Sequence, residues 1–366
     1  MPTDPPPVEP RLLFVDDDPA VVAGLRRMLR ARRVEADLTF ATGPGEALAH
    51  LSAGAFDGVV SDMRMPDMDG ASLLAAVRER SPATVRVILS GQTERAAAVR
   101  AAGVAHRFLD KPTHPDELVA TVAAIGKLAR QPLPAGVRAV LGRLACLPAR
   151  PDTLACLARA LAGPETASGT SAVVAAVAEP AVAAKLAQLA SSAFLGPPAL
   201  AGTDAELAGH VRPGDLAAIQ AAGSLASDPA TPAVAALVEL LPARAGRLLA
   251  LAEALHGRPL PPPVRLGARL RDVGRLVAAV LAGDLATADP GTLPPPPLLG
   301  GHLLAIWGLP DEVVAVVAAP APDDPGAATG PLDACLAVAL ADARDAAEHG
   351  LPPVTASRRA GAVGPP

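Results

Sequence analysis

Between residues 11 and 128, short apolar runs alternate with helix-spaced segments, and this alternation limits the fold more than any other feature of the chain. Leu12-Leu13-Phe14-Val15 is too brief for a helix and stops at Asp16-Asp17-Asp18-Pro19, as expected of a buried parallel strand running into a loop. Over residues 20–31 Val21, Val22, Leu25, Met28 and Leu29 then recur at helical spacing. Further strand candidates are 36–40, Gly58 to Ser61, Val85 to Ser90 and Ala105 to Leu109, with helical patterns at 44–53, 70–80, 92–102 and 115–128 between and after them. Strand and helix in strict turn predict a parallel sheet with helices on both faces, a doubly wound α/β domain of five strands.

Such sheets bind ligands outside the carboxyl ends of their strands, near the point where strand order reverses. The polar residues ending the apolar runs are therefore expected to converge: Asp16 and Asp17 after the first, Asp62 after the third, Ser90 after the fourth and Lys111 after the fifth. Crowded carboxylates repel each other, and a hard divalent cation with oxygen ligands is the ordinary remedy; Mg2+ suits because it binds few carboxylates and keeps waters that a phosphate can replace. Asp62 can then act as a nucleophile and form an aspartyl phosphate. Lys111 offers a point positive charge to one phosphate oxygen and Ser90 a hydroxyl donor to another.

These residues resemble the receiver domain of bacterial two-component response regulators, which has a flavodoxin-like fold. The resemblance covers residues 11–128 and rests on Phe14-Val15-Asp16-Asp17, Ser61-Asp62-Met63-Arg64-Met65-Pro66-Asp67-Met68-Asp69-Gly70, Leu89-Ser90-Gly91 and Asp110-Lys111-Pro112, in that order. It implies that Asp62 is the phosphoacceptor, Asp17 a direct Mg2+ ligand, Asp16 a water-mediated one and the backbone carbonyl of Arg64 another. It also implies a switch in which Ser90 moves toward the phosphate and Phe108 turns inward, a two-state equilibrium biased by phosphorylation. The plain alternative for Phe108 is a core aromatic with no switching role. Asp18 reads as the cap of the following helix rather than a ligand, Asp67 and Asp69 as turn and cap residues, and Met63 and Met65 as packing or rim residues.

A balance of 32 basic against 37 acidic residues argues against a protein whose main task is gripping phosphate backbones. The cluster Arg26, Arg27, Arg30, Arg32 and Arg33 reads as a solvated helix face. Cys146, Cys156 and Cys335 are too scattered for a disulfide framework or a short metal-ligand spacing. Residues 1–10 form a proline-rich acidic tail without the apolar core of a signal peptide, and no run long enough to span a membrane follows, so a cytoplasmic location is expected.

Residues 129–140, with two prolines in three positions, predict a short stiff connector. Beyond it the strand signal vanishes: residues 141–345 are rich in Ala, Leu and Val at helical spacing, and an all-α domain is expected. Cores there are built from small aliphatic side chains, since the chain has no Tyr and a single Trp, Trp307. Residues 346–366 are Pro/Gly-rich toward their end and are expected to be disordered.

Three stretches of this half resemble the HDOD family, output domains related to the HD phosphohydrolases. They are Glu179 to Gly196, Leu270-Arg271-Asp272-Val273-Gly274-Arg275-Leu276, and His302-Leu303-Leu304-Ala305-Ile306-Trp307-Gly308-Leu309-Pro310. A hydrolase of that kind needs His and Asp on facing helices to hold metal and activate water. Here Arg271 precedes Asp272 where the His of the His-Asp pair would stand, and a guanidinium cannot ligate a cation. The reading is therefore a non-catalytic output domain carrying a remnant of the motif at Arg271 and Asp272, within a protein that is not an enzyme beyond the receiver's own phosphorylation and dephosphorylation.

Together these features predict a phosphorelay response regulator that takes its phosphoryl group from a histidine kinase or phosphotransfer protein and changes how its helical half contacts a downstream protein. A homodimer is compatible with the sequence; a DNA-binding regulator is disfavoured by the lack of a basic helix-turn-helix. The competing reading is a receiver-gated, metal-dependent phosphodiesterase acting on a cyclic dinucleotide.

Overall fold

The computed structural model describes residues 9–91, 99–162, 167–191, 203–284, 293–320 and 334–348. Among the described residues five parallel strands form one sheet: β1 (Arg11–Val15), β2 (Asp37–Ala41), β3 (Gly58–Asp62), β4 (Val85–Ser90) and β5 (Arg107–Asp110), in spatial order β2-β1-β3-β4-β5. The order reverses between β1 and β3, so their carboxyl ends, at Val15 and Asp62, flank the crevice where ligands of such sheets bind. β3 and β4 are buried along their whole length, which is why they read as continuous apolar runs rather than alternating ones.

Helices α1 (Pro19–Ala31), α2 (Pro44–Ala53), α3 (Gly70–Arg80) and α4 (Pro115–Ala129) cover the faces. Their start signals act as the sequence suggests. Asp18 accepts a hydrogen bond from the Ala20 N–H (2.7 Å) and Asp69 one from the Ser72 N–H (2.9 Å), each satisfying a donor that a helix end leaves open. Of the helix expected over 92–102, residues 99–101 are helical and 92–98 lie outside the described residues. The last strand starts at Arg107, two residues later than the apolar run at Ala105 suggests. The N–H of His106 still joins β4, donating to the Arg86 carbonyl at 2.8 Å.

The connector expected over 129–140 is shorter. Pro134 caps a new helix, α5 (Ala135–Arg143), which leaves 130–134 as the link. Every element described after it is a helix: α6 (Pro151–Leu161), α7 (Ala167–Ala176), α8 (Pro180–Ala190), α9 (Asp204–His210), α10 (Pro213–Ala221), α11 (Pro232–His256), α12 (Pro262–Arg269), α13 (Val273–Asp284), α14 (Pro296–Ile306), α15 (Asp311–Ala318) and α16 (Ala334–Glu348). The expected Pro/Gly-rich tail after 348, the N-terminal tail before Glu9, and Ser192 to Gly196 of the Glu179–Gly196 stretch lie outside the described residues. No helix among the described residues is long and apolar enough to cross a membrane.

The sheet half and the helical half share one apolar core, which runs without a break from Leu12 and Val87 through Leu141 to Leu186, Leu303 and Trp307. The free edge of β5, which would otherwise present unpaired backbone groups, is covered by α8 and the α14–α15 corner. Gln188 Nε2 donates to the His106 carbonyl (2.9 Å), and Lys185 Nζ donates to the carbonyls of Ala102 (2.7 Å) and Ala145 (2.8 Å). Arg107 donates to the carbonyls of Ala305 and Ile306, and Lys127 pairs with Asp311 at 2.9 Å. All of α8 is buried, which explains why its sequence has no polar stripe.

Candidate functional site

The last residue of β3 is Asp62, and the segment after it turns back over the strand end. The Arg64 N–H donates to Asp62 Oδ2 at 3.0 Å and the Gly70 N–H to the Met63 carbonyl at 2.9 Å. A side chain at position 70 would collide with the Asp62 carbonyl oxygen, so glycine is required where α3 begins beside the strand. Asp67 adopts a positive φ of 67°, a conformation that Asp tolerates better than most residues and that tightens this turn.

Asp16, at the end of β1, is buried and keeps Oδ1 for the Asp18 N–H at 3.0 Å. Lys111 reaches in from the end of β5, across the tip of β4, and its ammonium lies 2.7 Å from Asp16 Oδ2 and 2.5 Å from Asp62 Oδ1. Residues from three strand ends, Asp16, Asp62 and Lys111, thus meet at one point, where the sequence leads one to expect residues from four. Burial pushes the Asp62 carboxyl above its usual range, and the Lys111 hydrogen bond and charge only partly offset this. For Lys111 burial acts downward, but hydrogen bonds and charge from Asp16 and Asp62 outweigh it and raise the ammonium.

Ser90 is fully buried at the end of β4, and its carbonyl accepts the Lys111 N–H at 2.9 Å, fixing the lysine's backbone beside the site. Phe108 sits two register steps before, opposite Ile88, and is 5% exposed. Asp17 is not drawn into the Asp16–Lys111–Asp62 cluster. It is exposed and lines an adjoining surface depression with Thr42, Pro66 and Asp67. Met63 and Met65 are buried packing residues.

Two carboxylates gripping a single ammonium show that the pocket holds positive charge between hard oxygens, the donor chemistry of a Mg2+ site. The Asp16 and Asp62 carboxylates are the groups that would hold such an ion, and Asp17 stands at the rim. Among the described residues no group of three or more His, Cys, Asp or Glu side chains converges at metal-ligand distance, so this pocket would complete its coordination with backbone and solvent oxygens.

The response regulator receiver domain family matches residues 12–123. That segment is a response regulator receiver domain. Over 117 residues the chain is 32% identical to the photosynthetic apparatus regulatory protein RegA of Rhodobacter capsulatus, a match covering 32% of this chain and 62% of RegA. It is also 32% identical over 116 residues to the cell cycle response regulator CtrA of Brucella ovis, covering 31% and 49% of the two chains. The chain therefore spans less than two thirds of the length of these curated relatives. Among solved structures, the signal receiver domain of an HD domain-containing protein from Pseudomonas fluorescens Pf-5 is 26% identical, with 35% of this chain and 93% of that one aligned and a TM-score of 0.33.

In the helical half, Arg271 and Asp272 belong to a buried ion-pair network whose centre the sequence reading missed. The Arg244 guanidinium, fully buried on α11, pairs with Asp272, with Asp342 on α16 (2.6 Å), and lies 2.9 Å from Asp345. Arg271 donates to Asp342 (3.0 Å) and to the carbonyls of Val316 (2.7 Å) and Val317 (3.0 Å), and Arg275 donates to Asp272 (3.0 Å). Burial pushes the Asp342 carboxyl up, yet Arg271 and Arg244 more than reverse this and hold it below the usual range. His302 does not join Asp272; its Nδ1 contacts the Gln131 side chain, and burial lowers its pKa to about 4. The available signal for Arg244 was an arginine on the apolar face of a long helix, where only a buried partner could justify it.

Proposed function

We propose that this chain is a two-component response regulator in which Asp62 accepts a phosphoryl group from a histidine kinase or phosphotransfer protein. The observation that carries this reading is the meeting of Asp16, Lys111 and Asp62 at three strand ends of a receiver domain. Mg2+, when bound, would neutralise the carboxylates and the incoming phosphoryl oxygens. The Arg64 N–H orients the Asp62 carboxylate for in-line attack, and the Lys111 ammonium, 2.5 Å from Asp62 Oδ1, would meet an oxygen of a phosphoryl group placed there. Ser90 supplies a hydroxyl to a second oxygen, and its movement makes room for Phe108.

The helical half is proposed to be a non-catalytic, HDOD-like output domain that binds a downstream protein rather than DNA. Support comes from the Leu270–Leu276 and His302–Pro310 stretches and from Asp272, whose carboxylate is already held by Arg244 and Arg275. A guanidinium at that carboxylate repels a metal cation, which counts against the phosphodiesterase reading. Contact between β5, α8 and the α14–α15 corner gives the receiver a direct path to this half.

Phosphorylation with a small acyl phosphate in the presence of Mg2+, followed by intact mass measurement, tests the proposal. A single added phosphoryl group in the wild type, absent from Asp62→Asn and after chelation of the metal, is the expected result. An unmodified wild type, under conditions that modify another receiver, would reduce this domain to a scaffold.

A further inference from the structure

A cleft of about 460 Å3 opens at the amino ends of β3 and β4, at the far end of the strands from Asp62, and residues of α4, α5 and α14 close it. Its accessible lining is mostly small side chains, Ala55, Pro82, Ala83, Ala129 and Ala139, with Ser81 and two arginines among them. The larger apolar residues behind them, Val85, Ile125 and Ile306, belong to the buried core.

The two arginines are in opposite conditions. Arg11 is spent, since its Nε pairs with Asp37 at 3.1 Å and its Nη1 donates to the Ala55 carbonyl at 2.9 Å. Arg138, half-buried on α5, carries five N–H donors but makes a single hydrogen bond, from Nη1 to the Ala129 carbonyl at 3.4 Å, longer than the usual range. No carboxylate among the described residues pairs with it. Its Nε is occluded and has no partner; Nη2 also lacks one but is not occluded, and is the donor that a ligand in the cleft can reach. The charge of Arg138 adds to burial in opposing protonation of the neighbouring His302.

A guanidinium drawn back from solvent without a counter-charge gives up hydration that nothing in the protein replaces. A planar oxyanion supplies both the missing charge and acceptors at the right spacing. Small apolar walls accommodate an uncharged body, and Asp57, also on the lining, disfavours further negative charge.

We propose that this cleft is a small-molecule site for an organic monocarboxylate, its carboxylate on the Arg138 guanidinium and its apolar body against Ala129 and Ala139. The site lies at the other end of the sheet from Asp62 and requires no phosphorylation, so it stands apart from the reading of Asp62.

Benzoate is the probe, with benzamide as its uncharged isostere, each titrated by calorimetry against the full chain at constant ionic strength. Saturable binding of benzoate is expected, tighter than that of benzamide by roughly tenfold or more. Arg138→Gln should weaken it by roughly tenfold, and Arg138→Lys, which keeps the charge but not the paired donors, by about threefold. Ala139→Leu narrows the cleft without touching the guanidinium and should weaken binding by roughly fivefold with the circular dichroism unchanged. Absence of saturable binding, equal binding of benzamide, benzoate affinity unaltered in Arg138→Gln, or inorganic phosphate displacing benzoate with the higher affinity would overturn the proposal.

Discussion

The carbonyl of Gly142 accepts hydrogen bonds from two receiver side chains, Arg86 Nη2 at 2.6 Å and His106 Nε2 at 3.0 Å. Arg86 is buried in β4, and no carboxylate among the described residues contacts it. Its guanidinium is satisfied by the carbonyls of Pro82, Thr84, Val104 and Gly142, and burial lowers its pKa to about 9. The Arg86 backbone N–H donates to His106 Nδ1 at 3.1 Å, which makes Nε2 the protonated nitrogen of a neutral ring. The first helix of the helical half is thereby fastened to the receiver sheet.

Gly142 has no room for a side chain, because a Cβ there would collide with the Pro82 carbonyl. Gly142→Ala should cost about 2 kcal/mol, since relief requires α5 to shift off the Pro82–Ala83 turn. Gly136 lies on the same helix with open space around it, and Gly136→Ala should be neutral or stabilise by about 0.5 kcal/mol. Urea unfolding of the two variants beside the wild type separates this close approach from a general effect of helix propensity.

Phe108 and Trp307 line one cavity from opposite halves of the chain. If phosphorylation draws Phe108 inward, the cavity wall that Trp307 shares is rearranged, so its emission should change when the acyl phosphate and Mg2+ are added. Asp62→Asn should show no change under the same treatment. An emission spectrum indifferent to a phosphorylation verified by mass would mean that Phe108 is a static core residue.

His302 makes the seam sensitive to acid. Its folded pKa of about 4 lies below the ordinary value of 6.5, so between these pH values the unfolded chain binds the extra proton. Stability from this group is complete above pH 6.5 and is lost as pH falls toward 4, by at most about 3 kcal/mol. The stability gap between the wild type and His302→Gln should therefore shift against the wild type as pH is lowered from 7 to 4.5. Both chains keep the same carboxylates and His106, so the comparison isolates position 302; parallel pH profiles would refute it.

Arg244 is the shared partner of Asp272 and Asp342 and stands beside Asp345. Arg244→Ala leaves buried carboxylates short of a counter-charge and should cost about 4 kcal/mol. Exposed pairs such as Lys127 with Asp311 contribute far less, so Lys127→Ala should stay within about 1 kcal/mol of the wild type. Thermal melts of both variants give the comparison.

Much of the receiver could be read from the chain because its signals are local. An apolar run of four ending in Asp16, or an Asp69-Gly70 pair ahead of a helix, carries its structural meaning within a few residues. The helical half was legible only as helices. What brings Gln188 to His106, or Arg244 to Asp342, is packing across 82 and 98 residues of chain, and no periodicity records it. The position of Asp17 shows the same limit within the receiver: adjacent acids read alike, yet strand geometry buries Asp16 and leaves Asp17 facing solvent.

The interior shared by the two halves bears on how such a chain can change over evolutionary time. A receiver on a tether can be traded between proteins, since its surface makes no demand on the domain attached to it. Here β5, Arg86 and His106 present a surface matched to one particular partner within the same polypeptide, so a transplanted receiver would arrive with a bare apolar flank and a buried arginine lacking one of its carbonyls. Receiver and helical half in this chain are held to vary together.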